Sequence, residues 1–160
     1  MCGILLHYSK ASNIDESKFI KALTLQNHRG PDNLNFKKIS DNLIFGHVRL
    51  SIIDLSKNSN QPFINQKTNN NLIFNGEIYN YIELKEKLIS DGINFSSTGD
   101  TEVLLKYIEK YGIDGIEKFN GMWAFAIHLS QKNQIILSRD RFGKKPLYYF
   151  QDDKNFIASS

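Results

Sequence analysis

Met1-Cys2-Gly3-Ile4 opens the chain, and Cys2 is the only cysteine among its 160 residues. Once the initiator methionine is removed, which the small Cys2 side chain permits, one residue carries both a thiol and a free α-amino group. A thiol with an ordinary pKa of roughly 8.5 is a weak nucleophile near pH 7, and an α-amino group titrating at roughly 7.7–8.0 can take its proton. Two plainer readings stand beside this one. Cys2 could be a small apolar residue at the head of a buried strand, Ile4-Leu-Leu-His-Tyr8. It could also be an acylation site, but no basic cluster or amphipathic segment follows to supply a second membrane signal.

The rest of the composition narrows the setting. A chain of 160 residues with 41% apolar content can bury a core of ordinary domain size. One cysteine excludes an internal disulfide, and the four histidines have no cysteine partners at zinc-ligand spacing, so no metal site is expected. A reducing, cytoplasmic setting is the expectation. The run Met122-Trp-Ala-Phe-Ala-Ile127 is far short of the ~20 residues that span a bilayer, and no basic segment precedes the N-terminal apolar run as a signal peptide requires. The net charge of +3 is spread along the chain and points to no nucleic acid.

In order, short strands alternate with amphipathic helices. Asp15 should cap a helix with Phe19, Ile20 and Leu23 on its apolar face, ending near Gln26. His28-Arg-Gly-Pro-Asp32 reads as a polar loop. Residues 42–46 and 47–55 read as two strands, and 58–71 as an exposed loop. Leu72-Ile-Phe74 is a strand running into Asn75-Gly76-Glu77, after which Asn80 with Glu83 forms a capping box for a helix carrying Tyr81, Leu84 and Leu88. Asp100 should cap the next helix, with Leu104, Tyr107, Ile108 and Tyr111 on its buried face. Residues 122–129 and 134–138 are strands about a polar turn. Arg139 to Pro146 reads as an ion-pair turn, because it lacks the glycine spacing of a phosphate loop. Strands follow at 147–150 and from Asn155.

Several polar groups admit both a chemical and a structural reading. Arg49 lies on a strand of small and apolar residues and could be an edge charge or a carboxylate fork. Asn75-Gly76 could be a tight turn, since both residues tolerate positive φ. At an exposed strand end the pair would instead offer a carboxamide N–H and a backbone N–H, the parts of an oxyanion hole. Asp100 is accounted for by helix capping, worth about 1 kcal/mol.

The ordered set is specific where its members are not. Met1-Cys-Gly-Ile4, His28-Arg-Gly-Pro-Asp32, Gly46-His-Val-Arg-Leu-Ser-Ile-Ile-Asp54, Gln61-Pro-Phe63, Asn75-Gly-Glu-Ile-Tyr-Asn80, Gly99-Asp-Thr-Glu-Val103, Phe119-Asn-Gly-Met-Trp-Ala-Phe-Ala-Ile127, Arg139-Asp-Arg-Phe-Gly143 and Lys145-Pro-Leu-Tyr-Tyr149 occur in this order. Together they resemble the N-terminal glutaminase domain of glutamine-hydrolysing asparagine synthetases, class II glutamine amidotransferases of the N-terminal-nucleophile hydrolase type. The resemblance covers residues 1–160. It implies an α+β fold, a four-layer α-β-β-α sandwich of two antiparallel sheets. It also implies that Cys2 attacks the glutamine carboxamide and that Asn75 and Gly76 form the oxyanion hole. Arg49 would hold the α-carboxylate, Asp100 with Glu77 the α-amino end, and the backbone of Leu50, Ser51, Ile52 and Ile53 would line the pocket.

The same resemblance implies L-glutamine as substrate and a synthetase domain in a longer chain as partner, with a homodimer allowed and no nucleic acid or membrane. No cofactor is expected for this domain. ATP and magnesium belong to the synthetase half, whose Ser-Gly-Gly-x-Asp-Ser loop does not occur in this sequence. Lys144 stands where an apolar residue is common, away from any proposed catalytic group. Glucosamine-6-phosphate synthase and amidophosphoribosyltransferase share the Cys2 start but not the segments around Arg49 and Lys145. Amidotransferases of sugar and secondary-metabolite pathways, and a non-catalytic glutamine-binding domain, are the alternatives.

Overall fold

Two antiparallel sheets pack face to face in the computed structural model, which describes residues 1–11 and 13–160. One has five strands, in the order β2 (Asn33–Ser40), β3 (Leu43–Arg49), β1 (Gly3–Ser9), β9 (Asn155–Ser159) and β8 (Tyr148–Gln151). The other has four, in the order β4 (Phe63–Ile64), β5 (Asn71–Ile78), β6 (Gly121–Leu129) and β7 (Gln134–Arg139). Alternate residues of each central strand face opposite layers. Ile4, Leu6, Leu43 and Phe45 of the first sheet therefore meet Ile73, Ala124 and Ala126 of the second.

The outer faces are covered by helices, which completes the expected α-β-β-α sandwich. Helix α1 (Glu16–Thr24) lays Phe19 and Leu23 on Ile44 and Val48. Helices α2 (Tyr81–Ser90) and α3 (Asp100–Tyr111) bury Leu84, Leu88, Val103, Leu104 and Ile108 against Leu72, Phe74, Phe125 and Ile127. Each such side chain, fully buried, contributes roughly 1.5–3 kcal/mol. The Asp15 cap forms as expected, its Oδ1 accepting from the N–H groups of Ser17 and Lys18.

Three strand expectations need correction. Residues 43–49 form one continuous strand, buried at every position, and residues 50–55 leave the sheet. Gly46 lies inside β3 because α1 crosses there; a Cβ would fall 2.8 Å from Leu23 and from Phe19. The unforeseen β2 is an edge strand whose alternation is interrupted by a register shift between Lys38 and Ser40. Strand β5 does not stop before Asn75 but runs to Ile78, pairing Asn75 with Ala124 and Gly76 with Trp123.

The helix starts differ as well. Asn80 makes no side-chain cap; it donates to the Lys118 carbonyl and accepts from the Asn120 N–H, tying the loop before β6 to the end of β5. Asp100 is the first residue of α3, with Gly99 at the cap position, so capping does not account for it. The turn at 139–146 is not built from ion pairs either. Four backbone N–H groups, those of Trp123, Phe142, Lys144 and Lys145, converge on the Asp140 carboxylate. Arg139 and Arg141 donate to main-chain carbonyls, of Gly143 and Lys145 and of Glu117 and Phe119 respectively. Burial pushes the Asp140 carboxyl up, but the four N–H groups outweigh it and hold it below the usual range.

Candidate active site

The ends of β1, β3 and β5 and the start of α3 meet at a cavity of about 120 Å³. Every candidate residue named from the sequence lines it except Ser51: Cys2, Arg49, Leu50, Ile52, Ile53, Asn75, Gly76, Glu77 and Asp100. Ser51 turns aside, its N–H donating to Asp32 Oδ2 at 2.7 Å. Met1 lines the same cavity.

Cys2 lies just before β1, where Arg29 Nε donates to its carbonyl at 3.1 Å. Loop 28–32 thus has a definite task, since its Arg29 and Asp32 fasten the two backbone segments that flank the thiol. The thiol itself sits over the Leu50 backbone, 3.4 Å from its N and 3.7 Å from its O. Burial pushes the Cys2 thiol above its ordinary value; the Leu50 N–H, the N-terminal ammonium and Arg49 pull the other way, while Asp100 adds to the rise. A thiol so placed is protonated at neutral pH and needs a base within reach to react.

Ladder geometry explains what β5 offers. In an antiparallel pair the N–H and C=O of successive residues point to alternate sides. Leu72 of β5 faces β4, which is only two residues long. Phe74, Gly76 and Ile78 share that orientation, so beyond the end of β4 their polar groups face away from β6 with no strand beside them. The Phe74 N–H is taken by Gln61 Oε1 at 2.6 Å and the Ile78 N–H by Asp100 Oδ2 at 3.0 Å. Between them the Gly76 N–H faces the cavity. Asn75 is 1% exposed, and its Nδ2 is buried with no hydrogen-bond partner among the described residues. Asn75 and Gly76 thus bring two N–H donors to the cavity that the Cys2 thiol also lines, and such donors can stabilise a developing oxyanion. Gly76 admits no side chain, because a Cβ would lie 2.3 Å from the Met122 carbonyl oxygen.

Part of the cavity lining is charged. Arg49 is buried, and its guanidinium also braces the loop that follows β3, donating to the carbonyls of Ser56 and Asp54 and to Asn60 Oδ1. These bonds make the residue structural as well as a cavity-lining cation, and a lysine cannot reproduce the fork. Asp54 staples the same loop to α3's approach, accepting from the Ser56 N–H and from the N–H and hydroxyl of Thr98. Burial pushes its carboxyl up, but the hydrogen bonds from Ser56 and Thr98 outweigh this and hold it well below the usual range. Asp54, Gln61, Thr101 and Lys145 also line the cavity. None is singled out by the sequence as a site residue, although all four lie within the quoted motifs 46–54, 61–63, 99–103 and 145–149.

Asp100 is pushed up to about 6 by burial, with nearby Glu77 adding to the rise and the Ile78 N–H opposing it. The folded carboxyl holds its proton more tightly than the unfolded one at 3.8. Its ionisation therefore costs stability, increasingly between pH 3.8 and about 6 and fully above that. A bound ammonium would supply the missing counter-charge. Asp100→Asn, which keeps an acceptor for Ile78, is expected to melt no lower than the parent at pH 7 while losing about 10–100-fold in kcat/KM for an amino-acid substrate. In the parent, KM should rise as pH falls below about 6; in the Asn variant that dependence should vanish. Melts and kinetics between pH 5 and pH 8 (assay values chosen around about 6) check both.

Comparisons with known proteins give the family of the whole chain. A family model described as a glutamine amidotransferase domain matches residues 1–160. A putative glutamine-hydrolysing asparagine synthetase 2 of Methanocaldococcus jannaschii is 42% identical over the whole chain, which covers 34% of that relative. Glutamine-hydrolysing asparagine synthetase 1 of Bacillus subtilis is 40% identical over 99% of the chain and 26% of its own length. Amidase chyE of Penicillium rubens is 36% identical over 93% of the chain and 24% of its own length. The chain thus spans about a quarter to a third of the length of these relatives. Among solved structures, the glutamine phosphoribosylpyrophosphate amidotransferase of B. subtilis superposes on 99% of the chain and 41% of its own with a TM-score of 0.80 at 20% identity, a likeness of fold.

Proposed function

Because this chain belongs to the glutamine amidotransferase domain family, we propose that it hydrolyses L-glutamine through a thioester on Cys2. The observation that carries the reading is the cavity in which the lone thiol, the unpartnered Asn75 amide and the Gly76 N–H meet. With Met1 removed, the Cys2 α-amine takes the thiol proton as sulfur attacks the side-chain carbonyl carbon of glutamine. The negative oxygen lies on Asn75 Nδ2 and the Gly76 N–H. The α-ammonium then returns its proton to the departing nitrogen, the C–N bond breaks, and ammonia leaves a γ-glutamyl thioester. Water, deprotonated by the same amine, attacks the thioester, and collapse expels the Cys2 sulfur with glutamate as product. Arg49 and Asp100, with Glu77, hold the two charged ends of the amino acid.

In this reading the chain is a glutaminase domain over residues 1–160 that needs no cofactor. Its ammonia serves a synthetase domain of the asparagine synthetase type in a longer chain, where ATP and magnesium would act. A homodimer is a further association the reading allows, and the cytoplasm is its compartment. No helix among the described residues is long and apolar enough to cross a membrane. The similarity to a relative named as an amidase, chyE, keeps one alternative, the same hydrolysis serving another acceptor. A non-catalytic glutamine-binding domain would have no use for a thiol sharing its cavity with the unpartnered Asn75 Nδ2.

The test is direct. Purified protein whose intact mass shows Met1 removed should release equal amounts of ammonia and glutamate from L-glutamine. Protein fully active with Met1 retained would remove the α-amine as base.

A further inference from the structure

Strand β4 ends where the cavity begins, and side chains replace it along β5. Phe63 pairs with Leu72 and Ile64 with Asn71, so the same register continued backwards would set Gln61 opposite Phe74. Backbone pairing is not made there. Pro62, which has no N–H, precedes the strand, and the side chain of Gln61 reaches the Phe74 N–H instead. The Phe74 carbonyl is met from the other sheet, by His47 Nε2 at 3.1 Å. His47 is fully buried in the layer between the sheets, and its other ring nitrogen, Nδ1, has no partner among the described residues. A carbonyl only accepts, so Nε2 carries the proton and Nδ1 is bare. Burial, with Arg49 adding to it, pushes the His47 pKa down to about 3 against the opposing Phe74 bond, which keeps the ring in this neutral form.

We infer that His47 and Gln61 are positioning residues that clamp both polar groups of Phe74 and so fix the peptide plane leading into Asn75. Two consequences follow from satisfying Phe74 by side chains. Its buried N–H and C=O are paired, as buried backbone requires. The edge beside Gly76 is also left clear, whereas a longer β4 would consume the Gly76 N–H in a ladder bond. Gln61 is itself steadied by a 3.4 Å bond from Nε2 to Thr101 Oγ1, next to Asp100, which holds Ile78 two residues beyond Gly76. The donor pair therefore sits on a strand segment fastened on each side by side chains from three different elements.

This inference rests on Asn75 and Gly76 acting on the oxyanion, and a double-mutant cycle separates the two ideas. His47→Leu removes the donor at similar bulk and should lower kcat for glutamine hydrolysis by roughly 10- to 100-fold with KM within about twofold. His47→Gln, whose amide nitrogen can reach the Nε2 position, should recover most of the rate. On an Asn75→Ala background the same His47→Leu change should cost far less, because the group it positions is already gone. Equal losses on the two backgrounds, or a rise in KM with kcat unchanged, would overturn the clamp. If His47→Leu does not fold, Gln61→Met, which removes the Phe74 acceptor, is run through the same cycle and judged by the same outcomes. Full activity of Asn75→Ala alone would overturn the oxyanion assignment itself, and the clamp with it.

Discussion

Cys2→Ala is expected to abolish release of ammonia from L-glutamine, a loss on the order of 10⁴-fold or more, because the bond to carbon has no other nucleophile to form it. Binding should survive. Arg49, Asp100 and the Leu50 backbone lie outside the change, so calorimetry with glutamine should still report an affinity near that of the parent. Folding should survive too, since Cys2 precedes β1 and, among the described residues, its sulfur makes long hydrogen bonds only to the Leu50 backbone. The alternative, in which Cys2 is a small apolar residue heading a strand, predicts the reverse: a modest loss of stability and an unchanged rate. Undiminished hydrolysis by this variant would return Cys2 to that plainer role.

The second large effect is expected at Asn75. Its side chain is 1% exposed with an unpartnered Nδ2, a state that costs about 1–3 kcal/mol unless a ligand oxygen meets it. Asn75→Ala should therefore lower kcat by about 10²–10³ while KM changes little, because the donor serves charge that develops only during the reaction. Removing the unpaired group also removes its desolvation cost, so the variant should melt no lower than expected from the small cavity it leaves. A rise in KM with unchanged kcat would show that Asn75 binds substrate in the ground state instead.

These expectations mark where sequence and structure part. Cys2, Arg49, Asn75, Gly76 and Asp100 are legible because each residue type suits one piece of glutamine chemistry, and because their motifs recur in a family order. Their surroundings were harder to read. Asn75-Gly76 is a strong turn signal in isolation, and only its pairing with Ala124 and Trp123 shows that the strand continues to Ile78. The resemblance implies that Ser51 lines the pocket with its neighbours, but its N–H is taken by Asp32. The roles of Gln61 and His47 depend on where β4 stops relative to Phe74. Strand register is a long-range property, and no local pattern near either residue encodes it. β2 escaped because the register shift and the Lys37-Lys38 pair break the alternation that marks a strand.

Arg49 and Asp100 show a different limit. Each had an adequate local explanation, an edge charge and a helix cap, yet the structure buries both beside the cavity and gives the cap position to Gly99. Burying Asp100 with Glu77 nearby and its carboxyl raised to about 6 works against folding. Such a cost is expected where a site awaits a cation. The two residues are thus better read by what their burial leaves unbalanced than by what their neighbours in sequence suggest.

The most direct test of the central claim is to quench the protein with acid during turnover of L-glutamine and to map the covalent adduct by mass spectrometry. The predicted result is an N-terminal peptide that begins at Cys2 and carries the mass of glutamine less ammonia, released as the hydroxamate by hydroxylamine. An active protein showing no such adduct, or carrying it on any residue other than Cys2, would contradict the account.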